Sequence, residues 1–160
     1  MSSERPNLYL VRAADIAAHA QTFSHPWNAR SQITGAMLGR MVGLKRIGVS
    51  FARIPPGKES FVYHSHYSEE EWLYILSGRG TARIDGEEYA VGPGDFMGFP
   101  TPSVAHHLIN SGTEDLVYLM GGEARELDVS EFPDLGRIMV RRGEQIDTFD
   151  TKDAKPFGPR

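Results

Sequence analysis

The sequence has 160 residues, with 17 Lys and Arg, 21 Asp and Glu, and no Cys, which gives a formal net charge of −4. A chain of this length can bury a single core without disulfides. The lack of Cys excludes disulfide scaffolds, thiolate zinc sites and cysteine nucleophiles, so a bound metal would need His, Asp or Glu ligands. The mildly acidic balance argues against nucleic-acid binding.

The N-terminal segment, residues 1–43, is predicted to pack on the rest of the domain or on a partner subunit. Its apolar residues predict a short strand over 8–11, and its alanine-rich stretch predicts a helix from Ala14 to Gln21. The chain contains no apolar run of roughly 18 residues and no basic start followed by an apolar stretch. We therefore expect a cytoplasmic protein that does not associate with membranes.

The central segment, residues 44–122, alternates apolar and polar residues between turns rich in Gly, Pro and Asp. Asp85-Gly86 favours a two-residue hairpin turn, because both positions accept a positive φ. Many short strands at this spacing predict an all-β sandwich or barrel. The predicted strands cover 44–51, 60–66, 71–76, 81–84, 88–91, 96–99, 106–110 and 116–120.

The C-terminal extension, residues 123–160, has a weaker strand pattern than the central segment. Residues 138–140 predict one more strand, whereas the stretch from Gln145 onward is polar and contains Pro and Gly. We expect an irregular tail that packs over the domain or reaches a partner subunit. The three segments together are predicted to form one structural domain.

The histidines carry the clearest chemical signal, since four of the six fall in His64-Ser65-His66 and His106-His107. Residues i and i+2 of a strand point to the same face about 6.6 Å apart, so His64 and His66 can converge on one ion. Glu71 heads the next predicted strand and, if it faces inward, Leu73 and Ile75 face inward with it. Glu70 is the alternative, and it would instead place Trp72 and Tyr74 inside.

These residues lie in two motifs that resemble those of the cupin superfamily. The first motif is represented by Gly57, His64, His66, Glu71 and Gly78. Six residues separate Gly57 from His64, where the family pattern has five. The second motif is represented by Gly94, Pro100, His106 and Asn110, with Pro102 and Ala105 where the family has Gly and His. A one-residue insertion in the turn accounts for this departure.

The resemblance implies a cupin-type jelly-roll β-barrel with a metal site. The implied ligands are His64, His66, Glu71 and His106, and Asn110, four residues after His106, favours His106 over its neighbour. Strand parity forbids both histidines from facing inward, and we predict that His107 lies outward or beside the site. Glu69 and Glu70 are predicted to form a solvated rim. Three imidazoles and a carboxylate suit one divalent transition metal ion, Fe, Mn, Ni, Zn or Cu, better than Mg or Ca.

Two functions follow from the motifs. The first is a metal-dependent enzyme, of oxygenase, isomerase or lyase type, acting on a small polar molecule that bears oxygen atoms, such as an oxo-acid, a diol or a sugar derivative. The second is a non-catalytic cupin that binds or senses a small molecule, because the sequence marks no separate general base. An anionic substrate at the barrel mouth could be contacted by four basic residues, Arg40, Lys45, Arg46 and Arg53.

Four aromatic residues suggest how the barrel assembles. The outer face of two neighbouring strands is predicted to carry Phe61, Tyr63, Trp72 and Tyr74. An exposed apolar patch of that size is unusual for a monomer. Either the N-terminal segment with Trp27 or the same face of a second subunit would cover this patch, and we predict the second arrangement, a two-fold homodimer.

Overall fold

Antiparallel strands are the main regular structure of residues 9–158, which are the residues that this computed structural model describes. None of the helices in that range is long and apolar enough to cross a membrane. The elements in chain order are α1 (Ala13–His19), β1 (Gln21–Phe23), β2 (Ile33–Ala36), α2 (Leu38–Met41), β3 (Ile47–Ile54), β4 (Ser65–His66), β5 (Glu71–Ser77), β6 (Gly80–Ile84), β7 (Glu87–Val91), β8 (Phe96–Phe99), β9 (His106–Ile109), β10 (Leu116–Glu123), β11 (Leu127–Phe132), β12 (Arg137–Arg142) and β13 (Gln145–Asp150), with short 3-10 helices at Pro133–Leu135 and Thr151–Asp153.

The strands form three sheets that enclose a single core. One sheet has six strands in the order β1-β2-β3-β10-β5-β8, a second has the order β13-β12-β11-β4, and a third has the order β7-β6-β9. An isolated bridge between His64 and His106 joins the two smaller sheets. The predicted jelly-roll barrel is therefore confirmed, with the six-stranded sheet facing the two joined sheets.

The core extends along the inward faces of β3, β5 and β10. Tyr118 of β10 lies opposite Ala52 on one side and Ile75 on the other, and all three side chains are buried. Leu73 packs against the same core, so the predicted inward parity of β5 is confirmed. Because side chains alternate along a strand, this parity also directs Glu71, at the start of β5, toward the barrel interior.

The N-terminal segment differs from its predicted structure. Residues 9–11 form no strand, Leu8 lies outside the described residues, and the helix spans Ala13–His19 and not Ala14 to Gln21. Strands β1 and β2 were not predicted. Gly35 weakens the strand pattern of β2, yet a Cβ there would lie 2.2 Å from the Phe51 carbonyl oxygen, so the close pairing with β3 requires glycine.

The predicted outward face of four aromatic residues does not form. The predicted strand over 60–66 is reduced to Ser65–His66, so alternation does not govern the residues before it. Tyr63 is buried and its hydroxyl accepts a 2.7 Å hydrogen bond from the Gly86 amide, whereas Phe61 packs against the core. Trp72 borders an internal cavity, and of the four only Tyr74 is exposed.

The C-terminal extension is more regular than predicted. The strand predicted over 138–140 is confirmed within β12, but β11 and β13 also form. No strand forms in residues 151–158, beyond β13. Strand β11 pairs with β4, placing Ser130 opposite His66. This pairing brings the extension directly beside the histidine motif.

Asn110 connects three parts of the chain and supports the first prediction. Its side-chain amide donates hydrogen bonds to the carbonyls of Ile54 (2.7 Å) and Glu114 (2.8 Å) and accepts one from the Gly112 amide (3.0 Å), all with the side chain fully buried. Asn110→Ala removes these three hydrogen bonds from a fully buried site, so we expect a loss of about 2–4 kcal/mol in unfolding free energy. Urea denaturation measures the loss.

The neighbouring variant Ser111→Ala is the control for this prediction. Ser111 is exposed and shares one hydrogen bond with the Thr81 hydroxyl, so its replacement should change the unfolding free energy by less than about 0.5 kcal/mol. Equal effects at the two positions would contradict the structural role given to Asn110.

Candidate metal centre

Three imidazoles converge on one carboxylate oxygen inside the barrel. The distances from Glu71 Oε2 to the Nε2 atoms are 3.0 Å for His106, 3.4 Å for His66 and 3.7 Å for His64. His64, His66 and Glu71 each place one ligand atom within 4.8 Å of the others. The structure thus brings together all four residues that the two motifs pointed to.

Backbone pairing positions the three histidines. His64 and His106 exchange backbone hydrogen bonds of 3.3 and 2.8 Å across the bridge between the smaller sheets. His66 is held by Ser103, whose hydroxyl accepts from the His66 amide at 2.7 Å and whose amide donates to the His66 carbonyl at 2.8 Å. Ser103 lies in the turn that departs from the family pattern, so the altered turn still supports the first motif.

The Nδ1 atom of each ring is engaged away from the centre. His64 Nδ1 donates to the Val62 carbonyl at 2.6 Å, and His106 Nδ1 donates to the Val104 carbonyl at 2.9 Å. A carbonyl oxygen only accepts, so both Nδ1 atoms carry the proton, and in the neutral form of each ring the Nε2 lone pair faces the centre. His66 follows the same pattern, with Nδ1 2.6 Å from Asp128 Oδ2.

The charges at the centre call for a cation among these atoms. Burial opposes ionisation of Glu71, but hydrogen bonds with His106 and His64 outweigh it and hold the pKa of Glu71 well below its usual range. Burial alone would lower the pKa of His64. The hydrogen bond and charge of the Glu71 carboxylate outweigh burial, so the pKa of His64 is raised. These hydrogen bonds require protons on the Nε2 atoms, and a metal ion bound by the same four side chains would take the place of those protons. Three imidazoles and one carboxylate fit a divalent transition metal.

His107 lies outside this cluster. Its side chain is 7% exposed, its Nε2 is 3.7 Å from Glu59 Oε2, and its ring meets Tyr63 edge-on. Burial, followed by the positive charge of Arg83, lowers the pKa of His107 to about 4. The structure therefore places His106 and not His107 beside Glu71. Two positions were predicted for His107, outward or beside the site, and the outward one is wrong because the side chain is buried.

Two buried acidic residues beside His66 were not predicted as part of the site. Asp128 of β11 is 2% exposed and accepts hydrogen bonds from the Ser68 amide (3.0 Å) and hydroxyl (2.9 Å) as well as from His66. Burial alone would raise the pKa of Asp128. The hydrogen bonds from His66 and Ser68 outweigh burial, so the pKa of Asp128 is lowered. The carboxylate thus stays charged and orients the His66 ring.

Glu69 corrects the prediction of a solvated rim. Glu70 is exposed as expected, but Glu69 is buried, pairs with Arg141 of β12 and accepts a 2.6 Å hydrogen bond from the Arg125 amide. Glu69 therefore anchors the C-terminal extension to the turn that precedes Glu71.

A cavity of about 200 Å³ adjoins the cluster within the barrel. His64, Glu71 and His106 form part of its wall, and most of the remaining lining is apolar. Gly48 and Gly122, paired across β3 and β10, also border it. A small molecule in this cavity would contact the Nε2 atoms and the Glu71 carboxylate directly.

The chain is similar to known proteins over both its barrel and its full length. The sequence profile of the cupin domain family matches residues 50–122. A crystal structure of a proposed sugar phosphate isomerase from Acidithiobacillus ferrooxidans is 35% identical and has a TM-score of 0.90, with 94% of this chain and 97% of that chain covered.

Two further relatives have either a lower sequence identity or a shorter matched region. A sugar phosphate isomerase of the cupin superfamily from Silicibacter pomeroyi is 20% identical with a TM-score of 0.75, covering 86% of this chain and 89% of that one, and at that identity it shows the fold alone. An uncharacterised protein of Methanocaldococcus jannaschii is 38% identical over 68 residues, which are 42% of this chain. The match spans only 53% of the length of that relative.

Proposed function

The chain belongs to the cupin superfamily, and from that premise we propose that it is a metal-dependent enzyme. It holds one divalent transition metal ion, Fe, Mn, Ni, Zn or Cu, through His64, His66, Glu71 and His106 and acts on a small molecule that presents oxygen atoms to the ion. One observation carries the proposal. The Nδ1 atoms of all three histidines are engaged outward, which leaves three Nε2 atoms directed at one carboxylate oxygen.

In this proposal, the protein orients the three histidine rings and surrounds the bound substrate. The carbonyls of Val62 and Val104 and the carboxylate of Asp128 hold the rings in the tautomer that binds metal. The Glu71 carboxylate offsets part of the positive charge of an ion, and the apolar cavity wall would pack against the apolar part of a bound substrate. When bound, the ion would serve as a Lewis acid that polarises substrate oxygen atoms.

Metal analysis tests this proposal directly. The full chain, stripped with a chelator and then titrated with Mn²⁺, Fe²⁺ and Zn²⁺ in separate calorimetric experiments, should bind one ion per chain. Elemental analysis of the protein purified without added metal should show a transition metal near one equivalent. Trace metal on purification, together with no binding on reconstitution, contradicts the proposal.

The first reaction to assay is the isomerisation of sugar phosphates, because the relative from Acidithiobacillus ferrooxidans is described as a proposed sugar phosphate isomerase. A non-catalytic binding or sensing cupin is the second candidate. It is favoured by the lack of a Lys among the described residues that line the cavity, and by the ion pair of Glu123 with Arg125, which engages one of the two acidic residues in the lining. Ligand binding without product supports this candidate, and turnover contradicts it.

We also propose that the protein is a cytoplasmic homodimer with a small-molecule ligand. The apolar surface that favours a dimer differs from the one predicted from sequence. Tyr74 of β5 lies opposite Phe96 of β8, and these two residues and Leu76 are 39%, 64% and 42% exposed. A second subunit on this face would cover them.

A further inference from the structure

The cavity reaches solvent beside the metal centre, along a row of three residues that we call the mouth row. Gly48 of β3 borders the cavity and is exposed, and the side chain of Glu71, which also borders it, is 31% exposed. Gly122 of β10 lies between them, opposite Glu71 on one side and Gly48 on the other. Because two of its three positions are glycine, the mouth row carries no side chain other than that of Glu71.

Packing explains the glycine at position 122 but not the one at position 48. A Cβ at Gly122 would lie 2.8 Å from the Glu70 carbonyl oxygen, so a side chain there has no room. A Cβ at Gly48 would have only the Gly122 carbonyl oxygen within 4 Å, at 3.7 Å, and Gly48 does not have a positive φ. Glycine inside a strand lowers stability and often marks a place where a ligand approaches the backbone. Gly48 therefore keeps the mouth row open without a structural need for glycine.

Arg46 lies one step outside the mouth row, on the same face of the sheet. The Ala124 amide donates a 2.9 Å hydrogen bond to the Arg46 carbonyl, which extends the pairing of β10 with β3 by one residue. Residues i and i+2 of a paired strand share a face. Arg46 therefore has the parity of Gly48 and Ser50, which both border the cavity.

The guanidinium of Arg46 is available to a ligand. Arg46 is exposed, and within residues 9–158 its side chain has no ion pair or hydrogen bond. Two other arginines are engaged, since Arg125 pairs at 2.9 Å with Glu123 and Arg53 pairs at 3.4 Å with Asp115. Glu123 also borders the cavity, but Arg125 offsets its charge. Arg46 thus brings to this side of the cavity a positive charge that no carboxylate pairs with.

The distance between Arg46 and Glu71 suits a small polar molecule. Neighbouring strands are about 4.8 Å apart, so Glu71 and Gly48 lie about 10 Å apart across β10, and Arg46 is about 6.6 Å further along β3. The Cα atoms of Glu71 and Arg46 are therefore on the order of 12 Å apart. The row on the inner side of the mouth row contains Leu73 and Met120, which disfavour a charged group.

We propose that Arg46 binds the phosphate group of a phosphorylated sugar that lies over Gly48 and Gly122 and presents oxygen atoms at its other end to the metal ion. The proposal rests on the proposed function, because the metal centre holds that other end. A guanidinium keeps its charge at all physiological pH values and pairs with phosphate through two parallel hydrogen bonds. A carboxylate can form the same pair, and the test below separates the two anions.

The test uses the full chain loaded with Mn²⁺ and sugars that differ at one carbon. Glucose 6-phosphate, glucuronate and glucose carry a phosphate, a carboxylate and a hydroxyl group at carbon 6, and ribose 5-phosphate and ribose form a shorter pair. Calorimetry measures the binding of each compound and does not depend on turnover. The Mn²⁺ affinity of each variant is measured separately on the metal-stripped chain.

For at least one of the two sugars, we expect the phosphate to bind about 10- to 100-fold more tightly than the parent, as hydrogen bonds to charged groups allow. Arg46→Gln should remove most of this preference and leave Mn²⁺ affinity unchanged. Arg53→Gln is the matched control, because it removes the same charge from the opposite face of the same strand, and it should keep the preference.

Gly48→Val tests the open mouth row without removing any charge. The space around Gly48 accepts a side chain, so the variant should fold and bind Mn²⁺ as the wild type does. Its side chain would occupy the surface over which the sugar lies. We expect the preferred phosphate to bind about tenfold more weakly or worse.

Each outcome bears on a separate claim. A phosphate preference that is absent for both sugars, that persists in Arg46→Gln, or that falls equally in Arg53→Gln overturns the role of Arg46. Tighter binding of glucuronate than of both phosphates overturns the choice of phosphate, and undiminished binding in Gly48→Val overturns the path over the mouth row. If Mn²⁺ fails to bind the wild-type chain, the proposed function itself fails; if Mn²⁺ binds and the sugar phosphates do not, only this inference fails.

Discussion

Replacing His66 by alanine is expected to lower the affinity of the protein for divalent metal by about 100-fold or more, while the barrel stays folded. The Nε2 atom of His66 lies 3.4 Å from Glu71 Oε2, and the variant removes one of three imidazoles from the cluster. The other ligands are fixed by strand pairing and cannot move to replace it. Calorimetric titration with Mn²⁺ or Zn²⁺ measures the affinity, and circular dichroism verifies the fold.

His107→Ala is the matched control in the second histidine pair. His107 lies against Glu59 and Tyr63 and not among the clustered Nε2 atoms, so its loss should change metal affinity by less than about threefold, although it removes a buried ring. His106→Ala should resemble His66→Ala. Weaker metal binding in His107→Ala than in His106→Ala would show that the inserted residue in the second motif had been placed wrongly.

The barrel strands and the inward position of Glu71 are predictable because their signals are local, whereas His106 joins the predicted cluster only through the resemblance to the cupin motifs. Alternation along β5 identifies Leu73 and Ile75 as inward residues, and the same parity places Glu71 in the interior. The turn at Asp85-Gly86 forms as expected, with φ values of 50° and 84°. In each case, the residues that determine the structure lie within a few positions of one another along the chain.

The residues that support the cluster were not predictable in the same way. His66 and Asp128 are 62 residues apart in sequence and Glu69 and Arg141 are 72 apart, and each pair meets only because the C-terminal strands fold back onto β4. A polar segment with few apolar positions gives a weak strand pattern, so the extension was expected to be irregular. Burial of Asp128 and Glu69 is a tertiary effect that alternation does not encode.

The alternation rule also gave wrong orientations before β4. It presumed a continuous strand over 60–66, whereas the regular strand spans only Ser65–His66. Tyr63 is instead held inside by the Gly86 amide and by the Arg83 guanidinium, which lies 3.9 Å from the ring centroid. A side chain outside a regular strand takes the side that its tertiary partners dictate, and parity does not apply to it.

Asp128→Asn should reduce metal affinity by about 10- to 100-fold without removing any atom from the cluster itself. Asp128 accepts the Nδ1 proton of His66 at 2.6 Å, and this contact sets both the ring orientation and the tautomer. An asparagine keeps the shape but lacks the negative charge that makes His66 Nε2 a stronger ligand. Calorimetry on the metal-stripped variant measures the loss, and urea denaturation of the same sample separates it from a loss of stability.

Glu131→Gln on the same strand provides the control for Asp128. Glu131 is exposed and lies on the opposite face of β11, where it pairs with Ser65, so the substitution removes a charge of the same sign without contact with His66. Its metal affinity should match that of the wild type. If both variants weaken binding equally, the effect of Asp128 is one of general charge; if neither does, the hydrogen bond to His66 does not tune the metal site. A loss confined to Asp128→Asn makes the C-terminal extension part of the metal centre, because β11 then supplies the group that orients one of its ligands.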